Sequence, residues 1–545
     1  MVSYKTKKYS LAILVAVTIF LTFSFKSNFF EVAKQIEIYT TLFKELNLYY
    51  VHEINPAEFT SNAIKNTLEN LDPYTNYYDE QQVEEAKIRR EGEYAGIGVS
   101  VYYGDKGITL IEIYKGYEAD KKGLKAGDVI TKVGNQSLEN MERDQLSEML
   151  KSAPNTAISL EVLRQGEIKK ITVVTEKVVV NPVPFYDLID EETGYIVLTR
   201  FNEKASSEVK KAFKDLKKRG MKNLVFDLRS NPGGSLGEAI NISNFFLPQG
   251  STIVSTKAKV KKWSNTYRAS NNPLDLEMPI TILVNGRSAS ASEVVTGALQ
   301  DFDRAVVLGE RSFGKGLVQR YRQLTYGTQL KVTTAKYYSP SGRCIQELDY
   351  ANRDKNGVVP KFSDGTVTSF QTKNGRTVYD GGGILPDIII GYSKRNETTK
   401  ELLQSRAIFN FTTDYFYKNA AIKPAIDFTF SSSDFKSFQN YVLNSDTSFK
   451  TTQENLFLEA YKSLENRNAI TKEYQQIQKK LAQEKVSEIS KNKDDVSEMI
   501  KDQILIRYYY KEGSYQNKLK KDKVVLEAVK VLKNKSQYTK ILKGA

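Results

Sequence analysis

The sequence predicts a multidomain chain of the α/β (α+β) class, and three observations lead to this prediction. At 545 residues the chain is too long for a single hydrophobic core. Its 40% hydrophobic and 26% charged residues are ordinary for folded proteins, which excludes wholesale disorder and a polytopic membrane protein. The hydrophobic pattern also changes along the chain, from helical spacing to short strands, then to strands that alternate with helices, and back to helical spacing.

These changes predict five segments with different structures. They are 1–27, a signal peptide or signal anchor; 28–92, a helical N-terminal region; 93–178, a β-rich module; 179–393, an α/β core; and 394–545, a Lys-rich helical C-terminal region.

The first segment has the pattern of a targeting signal. Lys5, Lys7 and Lys8 precede an apolar run from Leu11 to Phe25. The run is short for a membrane span of about 20 residues, and no small-residue cleavage pattern follows it. A signal anchor and a cleaved signal peptide both stay open. The position of the lysines predicts that the remainder of the chain lies in the periplasm, anchored to the cytoplasmic membrane or exported across it.

The next two segments differ in the spacing of their apolar residues. Apolar residues at steps of three and four, from Val32 to Tyr50, predict a helix. A second helix could begin at Pro56, and the sequence Leu71-Asp72-Pro73-Tyr74 breaks it. Short alternating strands with glycines between them then predict a β-rich module covered by a helix from Arg143 to Lys151. The predicted strands of the module include 98–103, 109–113 and 168–174.

The α/β core is predicted from strands and helices that follow each other in turn. Such an order implies crossover connections and a layered sheet. The predicted strands are 195–198, 224–228, 280–284 and 305–308, and the predicted helices lie near 206–219, 236–246 and 291–300.

Charge and rare residues limit the chemistry of the chain. The net charge of +14 is spread over Lys-rich stretches without a nucleic-acid signature, so nucleic acid is not an expected partner. One cysteine, Cys344, and one histidine, His52, exclude an intrachain disulfide, a thiolate cluster and a His-rich metal site. We expect no metal and no organic cofactor.

A hydrolase with this composition needs a base other than histidine. A Ser-His-Asp triad would have to recruit His52 from the helical N-terminal region. A lysine can serve as base when burial disfavours its charged form, and Lys315, which lies between Gly314 and Gly316, is the candidate. The spacing of a phosphate-binding loop is not met there. A lysine exposed in a loop is the simpler alternative.

Two turns between a strand and a helix could complete such a site. Ser290 lies in the run from Ser288 to Glu293, where a nucleophile would gain from the backbone N–H groups at a helix start. Ser290 as a helix cap, with Glu293 as its capping-box partner, is the competing interpretation. The sequence Asn231-Pro232-Gly233-Gly234 could supply an oxyanion donor or be a plain turn.

Taken together, the motifs resemble the C-terminal processing (tail-specific) protease family. The resemblance covers about residues 70 to 393 and implies a crotonase-like α/β protease core with an inserted PDZ-like domain. The motifs that carry it are 71–75, 96–99, 123–128, 227–234, 288–293, 309–319, 337–343 and 383–387.

The resemblance also implies roles for individual residues. Ser290 would be the nucleophile, Lys315 the general base and Gln319 the residue that orients the lysine. The backbone amides of Gly233 and Ala291 would be the oxyanion donors, with Gly234 as the alternative to Gly233. The PDZ-like domain would receive a substrate carboxylate at Gly96, Ile97, Gly98 and Val99.

The function expected from this resemblance is that of a Ser-Lys serine endopeptidase that recognises the free C-termini of exported proteins and cuts near them. Its partners would be protein substrates and the cytoplasmic membrane, and homo-oligomerisation stays open. Two other functions compete with it. One is a catalytically silent PDZ adaptor, and the other is a crotonase-like acyl-CoA enzyme, since paired glycine donors also suit thioesters.

Overall fold

The structure is a computed structural model that describes residues 29–150, 153–365, 367–391, 395–444 and 449–544. The predicted targeting run from Leu11 to Phe25 lies outside these ranges. The chain divides into two compact units, Met1–Tyr77 and Tyr78–Ala545.

The described part of the first unit is helical. Helix α1 covers 29–49 and helix α2 covers Pro56–Glu69. The ring centroids of Phe43 and Phe59 are 5.7 Å apart, so the two helices pack through these rings. Helix α2 begins as its sequence predicts, because Pro56 occupies the first turn and the Asn55 side chain accepts hydrogen bonds from the next free N–H groups. A short strand, β1 (Asn76–Tyr78), follows.

The β-rich module begins after helix α3 (Glu80–Glu91) and is an antiparallel sheet with the strand order β3-β4-β5-β7-β8. Strands β2 and β9 form a separate antiparallel ribbon. The strands are β2 Glu93–Gly96, β3 Val99–Gly104, β4 Gly107–Ile113, β5 Val129–Val133, β6 Gln136–Ser137, β7 Ala157–Arg164, β8 Glu167–Val174 and β9 Glu176–Val179. The helices are α4 Glu118–Lys121 and α5 Arg143–Met149. The covering helix was therefore predicted at the correct place.

The α/β core contains a six-stranded sheet of order β10-β11-β12-β15-β16-β21, in which only the β10–β11 pair is antiparallel. The strands are β10 Phe185–Leu188, β11 Thr193–Val197, β12 Asn223–Asp227, β15 Ile280–Val284, β16 Val306–Gly309 and β21 Ile388–Ile389. Helices α6 Ala205–Lys218, α7 Leu236–Asn244 and α8 Ala291–Asp301 share a buried cluster with one sheet face. The α/β class and the predicted crossover units are confirmed.

A second sheet, which the sequence reasoning did not predict, packs beside the core. Its strands include β13 Thr252–Ala258, β14 Thr266–Arg268, β17 Leu317–Gln323 and β18 Gln329–Tyr338. Strand β18 is long and central, because it pairs with β13 at one end and with β17 along most of its length. A small hairpin is formed by β19 Ser369–Gln371 and β20 Thr377–Tyr379. The loop that carries Lys315 leads directly into β17.

The C-terminal region is helical, as predicted. Its helices are α9 Glu397–Gln404, α10 Ala407–Lys418, α11 Ser432–Asn444, α12 Thr452–Lys462, α13 Thr471–Lys491, α14 Lys493–Leu519, α15 Lys523–Lys533 and α16 Lys535–Lys543. Within the described ranges, no helix is long and apolar enough to cross a membrane.

The last two helices differ from the expected separate C-terminal region, because they form a layer of the α/β core. They cover the sheet face opposite to α6, α7 and α8. Residues that share this buried cluster include Tyr195, Val197, Val225, Leu283, Val306 and Leu308 on the strands and Val524, Val525, Ala528, Val531, Leu532 and Tyr538 on the helices. The sheet is therefore covered on both faces, as a mostly parallel sheet requires.

Candidate active site

Ser290 stands between strand β15 and helix α8, in a strained conformation. Its φ of 56° and ψ of −113° are rare for a residue with a side chain. Strain of this kind persists only where the surrounding contacts enforce it, and it is concentrated at functional sites. The conformation therefore points to a function for Ser290 beyond that of an ordinary helix cap.

The two neighbouring serines have structural roles that Ser290 does not share. Ser288 and Ser292 are fully buried, whereas Ser290 is partly exposed. The Ser288 hydroxyl donates to the Leu228 carbonyl at 2.8 Å, and the Ser292 hydroxyl donates to the Asn231 carbonyl at 2.9 Å. These bonds fix the turn before α8 against the Gly233 loop. Of the three serines, Ser290 is the one accessible to a substrate.

Glu293 joins the Ser290 turn to the Lys315 loop. Its Oε2 accepts the N–H groups of Ser290 at 2.8 Å and Lys315 at 2.9 Å. Its Oε1 accepts the Ser312 hydroxyl at 2.6 Å and the Gly314 N–H at 2.7 Å. Burial raises the pKa of this carboxyl, and the four hydrogen bonds oppose the increase. A single buried side chain thus fixes the backbone of both candidate catalytic residues.

Tyr337 on strand β18 makes a second connection between the same two residues. Its hydroxyl lies within hydrogen-bonding reach of the carbonyl oxygens of Lys315 and Ser290, the latter at 3.2 Å. The side chain is 4% exposed. The two loops are therefore connected through their N–H groups by Glu293 and through their carbonyl groups by Tyr337.

The glycines beside Lys315 permit close packing of its loop. Gly314 has a φ of +85°, and a β-carbon there would lie 2.7 Å from the β-carbon of Glu347. A β-carbon on Gly316 would lie 2.8 Å from the Gln346 nitrogen. The Gly316 N–H donates to the Gln346 side chain at 2.8 Å. Lys315 is partly buried, so the alternative of a lysine in an exposed loop does not describe this site.

The two predicted oxyanion donors lie against Ser290. A β-carbon on Gly233, whose φ is +95°, would be 2.8 Å from the β-carbon of Ser290 and 2.9 Å from the Ala291 nitrogen. Ala291 is the first residue of α8, so its N–H has no acceptor within the helix. The Gly233 N–H donates to the Asn231 side chain at 2.9 Å. Ala291 is thus the better placed donor, and Gly233 would have to share its hydrogen.

Gln319 lies on strand β17, next to a bulge between Val318 and Gln319. Its amide nitrogen donates to the Thr333 hydroxyl at 3.2 Å. This bond fixes the orientation of the amide and leaves its oxygen as an acceptor. The role of Gln319 in orienting Lys315 stays a prediction.

The four residues of the predicted carboxylate loop lead into an edge strand. Gly96 ends β2, and Val99 begins β3, which is the first strand of the module's sheet. Gly98 has a φ of +81° and packs so closely on Tyr117 that a β-carbon would lie 2.2 Å from that side chain. Ile97 is buried, and its carbonyl accepts the Ala119 N–H at 2.9 Å. Helix α5 contacts this edge strand.

The sequence reasoning missed two residues that organise the site. Glu293 was considered only as the capping-box partner of Ser290, although its carboxylate reaches three residues of a loop that is distant in sequence. Tyr337 belongs to the 337–343 motif, but nothing in that motif indicates its contacts with Ser290 and Lys315. The neighbours of Glu293 in the sequence are small or apolar, as in Ala291-Ser292-Glu293-Val294-Val295. This pattern is the signal that could have indicated a buried carboxylate.

Comparison with protein families gives three matches along the chain. The family described as Peptidase family S41 matches residues 192–363. The PDZ domain family matches residues 85–163, and the family described as "Probable PDZ-protease, C-terminal helical domain" matches residues 398–532.

Individual relatives are similar over most of their length. A "Probable CtpA-like serine protease" of Staphylococcus aureus (strain MRSA252) is 33% identical over 370 residues, which are 66% of this chain and 73% of that protein. A "Carboxy-terminal-processing protease" of Bartonella bacilliformis is 33% identical over 319 residues, or 58% of this chain and 73% of that protein. Among solved structures, the photosystem II D1 C-terminal processing protease is 28% identical, covers 58% of this chain and 84% of its own, and has a TM-score of 0.35.

Proposed function

This chain belongs to peptidase family S41, and from that premise we propose that it is a serine endopeptidase in which Ser290 is the nucleophile and Lys315 the general base. The observation that carries the proposal is that the backbones of Ser290 and Lys315 are both hydrogen-bonded to the Glu293 side chain. Glu293 accepts the N–H groups of Ser290 and Lys315 on the same carboxylate oxygen. Two loops that are distant in sequence are thereby held together at the residues that would react.

The reaction then follows the order of a Ser-Lys dyad. Neutral Lys315 Nζ takes the proton of the Ser290 hydroxyl while Oγ attacks the carbonyl carbon of the peptide bond. The oxyanion that forms is stabilised by the Ala291 N–H, at the positive end of the α8 dipole, and by the Gly233 amide. Lys315 then gives the proton to the leaving amine, which produces an acyl enzyme. Lys315 next takes a proton from water, and the hydroxide attacks the acyl carbonyl carbon. As the bond between this carbon and Ser290 Oγ breaks, Lys315 returns the proton to Oγ, and the second product leaves with a new C-terminal carboxyl group.

A serine-reactive fluorophosphonate tests this assignment directly. The reagent should label the full-length protein once, and mass mapping should place the label on the peptide that contains Ser290. Prior treatment with a casein digest as competitor should slow the labelling. Attachment to Ser288, Ser292 or another residue would contradict the proposal.

Recognition of C-termini is the second part of the proposal. The β-rich module offers an edge strand, β3, beside helix α5, and Gly96 to Val99 precede that edge. An extended peptide that adds to β3 would bring its terminal carboxylate to the backbone N–H groups of this loop. The domain would thus select substrates by their free C-terminus, and the core would cut upstream of it.

Amidation of the substrate's last residue is expected to reduce cleavage about ten- to a hundredfold. The change removes the negative charge, and a charge-assisted hydrogen bond contributes about 1.5 to 3 kcal/mol. The measurement compares kcat/KM for matched free-acid and amidated peptides, and the loss should be found in KM. Equal cleavage of both peptides by the full-length protein would refute C-terminal recognition by this module and leave the Ser-Lys assignment intact.

Export to the periplasm is the third part of the proposal. It is supported by Lys5, Lys7 and Lys8 ahead of the apolar run from Leu11 to Phe25. A reporter enzyme fused after residue 60 should be active only outside the cytoplasm, and replacing the three lysines with glutamate should reduce its export. Full cytoplasmic activity of the unmodified fusion would reject the localisation. N-terminal sequencing of the mature protein distinguishes an anchor from a cleaved signal.

A further inference from the structure

The loop that carries Gly233 begins with a partly buried triad of charges. The Arg229 guanidinium donates to both carboxylate oxygens of Asp227, at 2.6 to 3.0 Å, and through Nη1 to Asp522 at 2.7 Å. The exposed fraction of the side chain is 14% for Arg229, 4% for Asp227 and 12% for Asp522. The Tyr195 hydroxyl also donates to Asp227 at 2.7 Å. The arginine thus contacts the last residue of strand β12, two positions before it, and a residue 293 positions later.

Asp522 lies at the start of helix α15 in the C-terminal region. Its Oδ1 accepts the N–H groups of Val524 at 2.9 Å and Val525 at 3.3 Å, so it is the N-cap of helix α15. The other oxygen, Oδ2, contacts Arg229. Both valines are buried against the core sheet. One carboxylate therefore starts the helix and binds the arginine at the same time.

A chain of short contacts connects Arg229 to the oxyanion site. The next residue, Ser230, has a φ of 59°, and its N–H donates to the Asn285 side chain at 2.9 Å. The Asn231 carbonyl accepts the Ala289 N–H at 3.0 Å, and the Asn231 side chain accepts the Gly233 N–H at 2.9 Å. A change in the position of Arg229 would be transmitted over four residues to Gly233, which packs on Ser290.

We propose that Asp522, in the C-terminal helical region, is a positioning residue for the oxyanion loop and acts through Arg229. The proposal rests on the function proposed above for Ser290 and the Gly233 loop. Asp227 accepts from Nε and Nη2 of the guanidinium, and Asp522 accepts from Nη1, so two carboxylates on different elements orient the plane of the arginine. The C-terminal helices then contribute to catalysis as well as to the fold, because they supply one of these carboxylates.

The substitution Asp522→Asn separates the two roles of the side chain. Asparagine caps helices as well as aspartate does, so helix α15 should keep its start. The negative charge opposite Arg229 is lost. We expect kcat per active site to fall roughly ten- to a hundredfold with KM nearly unchanged, since small displacements of a catalytic group have effects of this size. The affinity for a peptide boronic acid, which mimics the tetrahedral intermediate, should fall by a similar factor.

A matched control is available on the same helix. Lys533 forms an ion pair with Asp190 at 2.8 Å, but its side chain is 59% exposed. Lys533→Ala removes a contact between α15 and the core without touching the oxyanion loop, and both kcat and boronic acid affinity should stay at the wild-type level. The number of folded sites in each variant is counted by the end point of fluorophosphonate labelling.

The outcomes distinguish this inference from the proposed function. Wild-type kcat and boronic acid affinity in Asp522→Asn would overturn the positioning role while Ser290→Ala remains inactive. A loss that disappears after correction for the number of labelled sites, or that Lys533→Ala reproduces, would show a purely structural role and also overturn it. Undiminished proteolysis by Ser290→Ala would instead refute the proposed function itself.

Discussion

Replacement of Ser290 or Lys315 by alanine is expected to lower proteolysis by at least about a thousandfold, which in a standard assay is complete loss. The two residues act as one unit, so removal of either should cost about as much as removal of both. The double variant Ser290→Ala, Lys315→Ala is therefore expected to be no worse than the single variants. The measurement is the single-turnover cleavage rate of a free-acid peptide.

Two further variants make this test specific for a lysine base. Lys315→Arg should be as inactive as Lys315→Ala, because a guanidinium stays protonated and cannot accept the serine proton. His52→Ala should be as active as the wild type, since His52 is exposed in the N-terminal unit. A large loss in the His52 variant, or substantial activity of Lys315→Arg, would contradict the dyad.

The parts of the fold that could be predicted from sequence are those with a local signal. Buried parallel strands such as Ile280–Val284 are short apolar runs followed by a turn, and helix α2 has both a cap and a proline at its start. The candidate residues Ser290 and Lys315 could be chosen because each lies in a turn of unusual composition. The relation between those turns could be inferred only from the resemblance to a family.

The second sheet could not be predicted, for a physical reason. Strand β17 reads Leu-Val-Gln-Arg-Tyr-Arg-Gln and is exposed over most of its length, so it lacks the alternation that marks a half-buried strand. Its structure depends on the pairing with β18, which is a tertiary effect. The role expected for Gln319, which lies on this strand, follows from the 309–319 motif and not from a predicted strand.

The packing of the last C-terminal helices on the core sheet could not be predicted from the sequence either. Val524, Val525, Ala528, Val531 and Leu532 form an apolar stripe on helix α15. The stripe predicts that the helix is buried on one face, but it does not indicate which surface covers that face. The structure shows that the surface is the protease sheet. The contact between Asp522 and Arg229 follows from this docking and has no counterpart in local sequence.

The substitution Glu293→Gln is expected to have the second largest effect on catalysis, with kcat lowered about a hundredfold or more. The amide keeps one acceptor oxygen but turns a donor toward two of the four groups that now donate to the carboxylate. The Ser290 and Lys315 loops should then separate, and misplacement of about 1 Å has a cost of this order. Buried donors left without acceptors should also lower the free energy of unfolding by about 1 to 3 kcal/mol.

Glu454→Gln is the matched control for this substitution. Glu454 has the same place in its helix, since it accepts the N–H of the cap residue Thr451 at 2.7 Å, and it also binds Lys485. It lies in helix α12 of the C-terminal region. Its variant should lose stability but keep its kcat. Equal kcat losses in the two glutamine variants would show that Glu293 has no special connection to the active site.

The dependence on pH gives an independent test, because activity and stability should change in opposite directions. Burial raises the pKa of Glu293 above its ordinary value of 4.5, so the folded chain holds this proton more tightly than the unfolded chain does. The contribution of the group to stability is therefore full below the ordinary pKa and is lost as the pH rises through the raised pKa. Catalysis needs the ionised carboxylate, which accepts all four hydrogen bonds, so activity should rise over the same interval.

In the acid limb of log kcat against pH, two groups must be deprotonated for activity, namely Lys315 in its proposed role as base and Glu293 as the carboxylate that accepts the four hydrogen bonds. The slope should therefore roughly double in the more acid part of the limb. In Glu293→Gln this steeper part should disappear, while the limb that belongs to the lysine remains. Thermal unfolding measured at the same pH values separates the effect from acid denaturation. An acid limb that is the same in both proteins would mean that Glu293 does not titrate in the range where the enzyme works.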